Sequence, residues 1–294
     1  MIEITNLTKK FGNFKALDDV TLNISSGESV CLLGENGAGK STLIKCILGM
    51  LDYSGEIKLN GMLLNPSSTN HKFDIGYIPQ QPVFYDMKVD ELMSFFAVLR
   101  QADITKVEES IEFTGLSDHT NKLTSELSGG LQQRLSFAVA LITDPPILIL
   151  DEPTSNLDAS ARLDMLKLVK SLNQSGKTVL FSSHRMDEVE YLAGRVYILK
   201  SGKIVKESIQ KQLTKNLGLK TKIVLNVHSD LISNTVQLLK ANGLNNVSRN
   251  GAFLYVNIDG DMKLKALKII LENNIAADDI RIETPSMDEI IRSL

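Results

Sequence analysis

The residues with the clearest chemistry are Gly34-Glu35-Asn36-Gly37-Ala38-Gly39-Lys40-Ser41, with Thr42 after them. They lie between an apolar run, Ser29 to Leu33, and a helical pattern, Ser41 to Leu48. A phosphate-binding loop needs that setting: glycines let successive backbone N–H groups curl inward at phosphate oxygens, and the helix offers its positive end. Lys40 would then neutralise β- and γ-phosphates, and the Ser41 hydroxyl would ligate Mg²⁺. A flexible glycine turn is the competing reading, and the strand-then-helix context stands against it. Further along, Ile147-Leu148-Ile149-Leu150-Asp151-Glu152 is an apolar strand closed by two carboxylates. Adjacent strand residues face opposite sides, so the two acids are expected to divide the work. Asp151 is placed to hold Mg²⁺ or its water shell, and Glu152 to polarise an attacking water as general base. Alone, an Asp-Glu pair after a strand is usually a solvated strand end. Beside a phosphate loop, hydrolysis of a nucleoside triphosphate is the stronger reading.

Leu127-Ser128-Gly129-Gly130-Leu131-Gln132-Gln133-Arg134 resembles the signature sequence of ATP-binding-cassette ATPases. Physically, Ser128, Gly129 and Gly130 open the helical pattern Leu131 to Ile142, a second helix N-terminus able to bind phosphate. The resemblance implies that ATP and Mg²⁺ held by the loop of one subunit are covered by the signature of another. Two ATPs would be sandwiched in a two-fold dimer, with a second copy of this chain favoured as the other subunit. Other elements come in the family's order. Gln80, after Tyr77-Ile78-Pro79, resembles the loop glutamine that touches Mg²⁺ and the attacking water. Ser155-Asn156-Leu157-Asp158 is similar to the loop that communicates across the dimer. His184, after Ser182-Ser183, is similar to the switch histidine that contacts the γ-phosphate. Phe11 stands where the family more often has a Tyr stacked on adenine; Phe keeps the π-face that stacking needs, though it could also be a core residue. His71, His119 and His228 have no such setting and read as structural or exposed. The resemblance covers residues 1 to about 205.

These motifs need a scaffold. Residues 1–205 alternate short apolar strands with amphipathic helices, the pattern of an α/β domain with a mostly parallel sheet, here a phosphate-loop NTPase core. Between about 82 and 142 helical periodicity takes over, as in Val89 to Leu99 and Lys106 to Phe113, and reads as a helical insert. A Ser201-Gly202 turn closes the first domain with a hairpin, and a polar helical stretch, Ile209 to Leu217, connects onward. The domain boundaries so read are 1–217 and 218–294. The second domain has a βαββαβ order that predicts a small ferredoxin-like α+β module. Ser286-Met287-Asp288-Glu289 has capping-box spacing, so the chain is expected to end helically.

The 294 residues carry a net charge of -3, and nothing resembles the basic face that nucleic-acid binding requires. No apolar stretch reaches the roughly 18 residues that span a bilayer, and the N-terminus lacks a signal-peptide pattern. A cytoplasmic subunit is therefore expected, peripheral on the inner membrane face through a separately encoded permease. The two cysteines, Cys31 and Cys46, read as buried reduced thiols. Coupling to the permease would run through the insert beside Gln80, where apolar residues such as Phe84 and Tyr85 are either exposed contacts for a permease helix or packed inside. The tail from Thr284 to Ile291 is similar to that of cassette subunits serving export-type permeases, which puts export ahead of import. The alternatives are a soluble cassette ATPase acting on a ribosome or nucleic-acid complex, and an importer ATPase whose second domain is regulatory.

Overall fold

The structure, a computed structural model, describes residues 1–64, 74–273, 275 and 277–294; His71 lies outside them. Two compact units emerge, Met1–Gln210 and Lys211–Leu294.

The first unit begins with two long strands, β1 (Ile2–Phe11) and β2 (Phe14–Ile24), in an antiparallel hairpin. Strand β3 (Ser29–Leu33) leads through the glycine loop into helix α1 (Lys40–Ile47). Strands β4 (Ser54–Leu59) and β5 (Met62–Leu63) then return to the first hairpin, giving a four-stranded antiparallel sheet of order β2-β1-β4-β5. This sheet departs from the βα alternation read from the sequence. Its residues alternate between buried and exposed, as in Ile2, Ile4, Leu22 and Ile24 against Asn23, because only one face packs on the core.

Strand β6 (Ile75–Ile78) enters the second sheet, and the chain then leaves it for a helical insert: α2 (Val89–Leu99), α3 (Ile104–Phe113) and α4 (Gly129–Leu141). The insert has its own core of Val89, Leu92, Met93, Val107, Leu135 and Ala138. Phe84 packs half-buried against that core, while Tyr85 is 70% exposed. Of the two readings open for these aromatics, each takes one: Tyr85 faces outward, and Phe84 packs against the insert.

Returning to the sheet are β7 (Ile147–Asp151), α5 (Ala159–Gln174), β8 (Thr178–Ser183), α6 (Met186–Leu192), β9 (Arg195–Lys200) and β10 (Lys203–Ile209). The order is β10-β9-β3-β8-β7-β6, parallel except for the terminal β9–β10 hairpin. Every residue of β3, β7 and β8 is buried, the consequence of cover on both faces; the middles of these strands are apolar, and their polar residues, Ser29, Asp151, Thr178, Ser182 and Ser183, stand at the strand ends. The two sheets enclose one core with α1, built from Ile4, Leu22, Leu43, Ile47, Ile149 and Leu180. The fold is α/β, with the helical insert on a phosphate-loop NTPase core.

In the second unit a short helix α7 (Leu213–Asn216) precedes β11 (Thr221–Asn226), α8 (Ile232–Ala241), β12 (Val247–Asn250), β13 (Phe253–Ile258), α9 (Lys263–Glu272) and β14 (Asp279–Glu283). The sheet order β12-β13-β11-β14, antiparallel throughout, is ferredoxin-like. Helix α10 (Met287–Arg292) ends the unit. Ser286 and Glu289 cap it reciprocally, and Glu289 also pairs with Lys222 at 2.9 Å. That ammonium, together with the capping N–H, holds the Glu289 carboxyl below the usual carboxylate range.

Candidate nucleotide site

The ends of parallel strands place the chemistry. β3, β7 and β8 run side by side, so the residues just past Leu33, Asp151 and Ser183 meet at one edge of the sheet. A cavity of about 450 Å³ opens there, lined by Phe11, Phe14, Asn36, Lys40, Gln80 and Glu152 among others. Gly37, Gly39, Ser41 and Thr42 also line it.

The glycine loop is shaped by what surrounds it. Gly39 has φ 109, and a Cβ there would stand 2.7 Å from the Ala16 carbonyl oxygen. At Gly34 a Cβ would come within 2.4 Å of the Leu199 carbonyl oxygen. The loop is thus wedged between β2 and β9, and neither position has room for a side chain. Ala38 is buried, and its carbonyl accepts from Gly202 N–H at 3.0 Å. Glu35 and Asn36 are exposed at the rim.

Lys40 is 4% exposed, its Nζ 2.8 Å from the Gly34 carbonyl, 3.1 Å from that of Glu35 and 3.1 Å from Glu152 Oε1. Ser41 Oγ donates to Asp151 Oδ1 at 3.0 Å, and Ser182 Oγ donates to the same oxygen at 2.7 Å. Strand β7 ends at Asp151, and Glu152 adopts φ 45. The alternation expected for the two acids therefore does not explain their division; a left-handed residue does, turning the Glu152 carboxylate toward Lys40 while Asp151 faces the hydroxyls. A non-glycine residue held there stores backbone strain, offset by bonds on both sides of it. Its N–H donates to Ser182 Oγ at 2.9 Å, and Gln80 Nε2 donates to its Oε2 at 3.3 Å. His184 Nδ1 is also 3.3 Å from Oε2, without the alignment of a hydrogen bond. Close by, burial and the Asp151 charge push the Tyr77 phenol up to about 12, so it stays neutral.

Phe11 and Phe14 flank the Gly12-Asn13 turn as Cα partners, 49% and 67% exposed. Opposed residues share a face, so both rings stand at the cavity mouth. Lys9 Nζ lies 5.0 Å from the Phe11 ring centroid. The structure thus excludes Phe11 from the core.

Ser128, Gly129, Gly130 and Asp158 do not line this cavity. Ser128 caps α4 by accepting from Leu131 N–H at 3.5 Å, leaving Gly129 exposed with open space around it. Asp158 caps α5, accepting from Ser160 and Ala161 N–H at 2.9 Å each. Gly129 instead lines a second cavity of about 270 Å³, together with Gln80, Gln133 and Asn156. Buried Gln133 donates to the Pro79 carbonyl at 3.4 Å, which ties α4 to the segment carrying Gln80.

A family profile described as ABC transporter matches residues 17–155, spanning the loop, Gln80, the α4 start and both carboxylates. The ABC transporter ATP-binding protein YhaQ of Bacillus subtilis (strain 168) is 38% identical over 237 residues, 78% of this chain and 77% of that protein. This chain belongs to the ABC transporter ATP-binding proteins. The linearmycin resistance ATP-binding protein LnrL of the same organism is 29% identical over 304 residues, 100% of this ABC subunit and 98% of LnrL. Among solved structures, the dimeric ATP-binding cassette MJ0796 in a post-hydrolysis state with ADP and Pi aligns with a TM-score of 0.65 and 28% identity. That match covers 71% of this ABC subunit and 99% of the cassette. ATP is accordingly its ligand and ATP hydrolysis its reaction.

Two residues of the ABC subunit's site carry no motif. Phe14 was detectable as the second aromatic flanking a Gly-Asn turn, which places it on the same face as Phe11. Ser182 was not, because a serine at the end of a strand has many uses. Of the histidines outside the motifs, His228 is exposed at the surface of the second unit, and His119 lies in the insert with its Nδ1 buried and unpaired. Both cysteines are buried; burial raises the Cys31 thiol, and lifts Cys46 to about 11, so neither is poised as a thiolate.

Proposed function

We propose that this subunit binds ATP-Mg²⁺ at the cavity past the ends of β3, β6 and β7, hydrolyses it in a dimer, and drives a separate export permease. The observation that carries the reading is convergence: from four strand ends, Lys40, Gln80 and His184 come within 3.3 Å of the Glu152 carboxylate, and Ser41 bonds the neighbouring Asp151 at 3.0 Å.

The loop N–H groups and the α1 N-terminus receive the phosphates. Phosphate oxygens compete with Glu152 for Lys40, and the freed carboxylate accepts a proton from the attacking water. His184 and Gln80 hold the other side of that water and the γ-phosphate. Ser41 and Asp151 fit Mg²⁺: the ion prefers a few hard oxygen ligands plus phosphates, and these two oxygens already lie 3.0 Å apart. With Gln80 they would hold the ion, which when bound supplies charge neutralisation at the β- and γ-phosphate oxygens.

Phe11 and Phe14 offer the adenine two open rings. Phe14→Ala is expected to weaken ATP binding about 5-fold, an effect of about 1 kcal/mol, with kcat unchanged. Titration with a fluorescent ATP analogue checks it, and an unchanged Kd would remove Phe14 from the base site.

The exposed N-terminus of α4 is the natural cover for a nucleotide bound by the other subunit, and the dimeric MJ0796 cassette supports that arrangement. A homodimer is the simplest form. Export is supported by the resistance function in LnrL's name, matched along the whole chain, and by the similarity of the tail from Thr284 to Ile291 to that of export-type subunits. Among the described residues no helix is long and apolar enough to cross a membrane, so membrane association would come through the permease. Its docking surface is the insert beside Gln80, where Val83 is 91% exposed and Tyr85 packs edge-on to Phe95 at 6.3 Å. Tyr85→Asp should abolish permease-stimulated ATPase activity while the isolated subunit's turnover stays within about twofold, since Tyr85 does not line the nucleotide cavity. Unchanged stimulation in reconstituted vesicles would move the docking surface elsewhere.

The whole reading is tested by purifying the tagged protein from detergent-solubilised native membranes and identifying what accompanies it. One multi-spanning protein supports it. Recovery only from the soluble fraction with ribosomal or DNA-associated proteins would replace it with a soluble ATPase.

A further inference from the structure

The ladder between β7 and β8 ends at the pair Asp151–Ser182, so backbone pairing stops short of Glu152 on one strand and of His184 on the other. Those two residues must nonetheless be held at a working separation. Glu188, in the first turn of α6, occupies the gap. It is 2% exposed and lies outside the cavity, with both carboxylate oxygens bonded. Its Oε1 accepts from Thr154 Oγ1 and its Oε2 accepts from Ser183 Oγ at 2.7 Å. Ser183 Oγ in turn accepts from Arg185 N–H at 3.0 Å, so both chain neighbours of His184 are tied into the same network. Thr154 and Ser183 are 3% and 2% exposed, short side chains with little freedom to lose. A partly exposed arginine, Arg185, reaches within 3.5 Å of the carboxylate. Burying a carboxylate so thinly compensated is costly, and an apolar side chain would pack there without that cost. The carboxylate adds two acceptors that join the loop after Glu152 to the strand end before His184.

We propose that Glu188 is a positioning residue for ATP hydrolysis, a clamp that sets the separation of Glu152 and His184 without touching nucleotide. The inference rests on the roles given above to those two residues. Because the clamp acts on the water-activating side and not on the phosphate loop, it bears on kcat and leaves ATP affinity alone.

The test compares Glu188→Ala, Glu188→Gln and Glu152→Gln in the full-length protein, with turnover normalised to sites that bind a fluorescent ATP analogue. The expected result for Glu188→Ala is a kcat lowered at least 10-fold with KM within twofold. Glu188→Gln matches the shape and can still accept from one hydroxyl and donate to the other, so it should recover to within threefold of the unaltered protein. A structural role alone would lower the fraction of binding sites and leave normalised turnover intact. The clamp is overturned by a normalised kcat within twofold in Glu188→Ala, by a KM that rises in parallel, or by a glutamine variant no better than alanine. If Glu152→Gln turns over normally, the site reading itself has failed; if Glu152→Gln is inactive and Glu188→Ala is normal, only the clamp has.

Discussion

Glu152→Gln is expected to bind ATP with a Kd within about threefold of the unaltered protein and to lose turnover by about 10²- to 10³-fold, the range for removing a general base. The substitution keeps the size and one acceptor of the carboxylate and removes its charge and basicity. Lys40 retains the Gly34 and Glu35 carbonyls, at 2.8 and 3.1 Å, so the loop keeps its shape without the acid. ATP should then accumulate uncleaved, and the protein should run as a dimer on size exclusion in its presence. Phosphate release measured alongside gives the decisive number. Turnover within twofold of normal would show that the left-handed Glu152 is strained for some other purpose.

Lys40→Ala should fail one step earlier. Without the ammonium the phosphates lose the cation that the buried loop holds for them, and ATP affinity should drop more than about 100-fold, equivalent to about 2.7 kcal/mol or more. The same change strips Glu152, 8% exposed, of the cation 3.1 Å away. Leaving a buried charge unpaired costs up to about 3–5 kcal/mol. Gln80 and His184 soften this, and a loss of about 2 kcal/mol, or roughly 4–8 °C in Tm, is the expected size. The pair of variants separates binding from cleavage: one should hold ATP and not cut it, the other should not hold it. Normal ATP affinity in Lys40→Ala, by calorimetry, would reduce the glycine loop to an ordinary turn.

The parts legible in sequence are those where a single residue type is demanded by geometry. Gly34 and Gly39 face carbonyl oxygens at distances that forbid any Cβ, and the run of buried strand residues from Ile147 to Asp151 admits little but apolar side chains. The ferredoxin-like unit was readable from its order of short strands and helices and from the turn at Asn250-Gly251, although of its four strands only β13 alternates cleanly between buried and less buried residues. The antiparallel sheet at the N-terminus was not, because β1 mixes polar and apolar residues with register shifts after Ile4 and Leu7 that blur the period. Phe84 illustrates a different limit. Two adjacent aromatics look alike in sequence, and only the packing of the insert decides that one is half-buried and the next exposed. Ser182 and Glu188 depend on contacts across more than one element, Ser182 to Asp151 and Glu188 to Thr154, which no local pattern encodes.

The wedging of the glycine loop between Ala16 of one sheet and Leu199 of the other has a thermodynamic side. The binding loop is also part of the seam along which the two sheets adhere, beside their shared core, so a fluctuation that parts them there disturbs the nucleotide's seat in the same event. Occupancy and cohesion are then a single equilibrium: ligand held at many times its Kd adds RT ln(1 + [ATP]/Kd) to the free energy of prying the sheets apart. A subunit of this build is mechanically firmer while loaded and loosens along that seam when its nucleotide leaves.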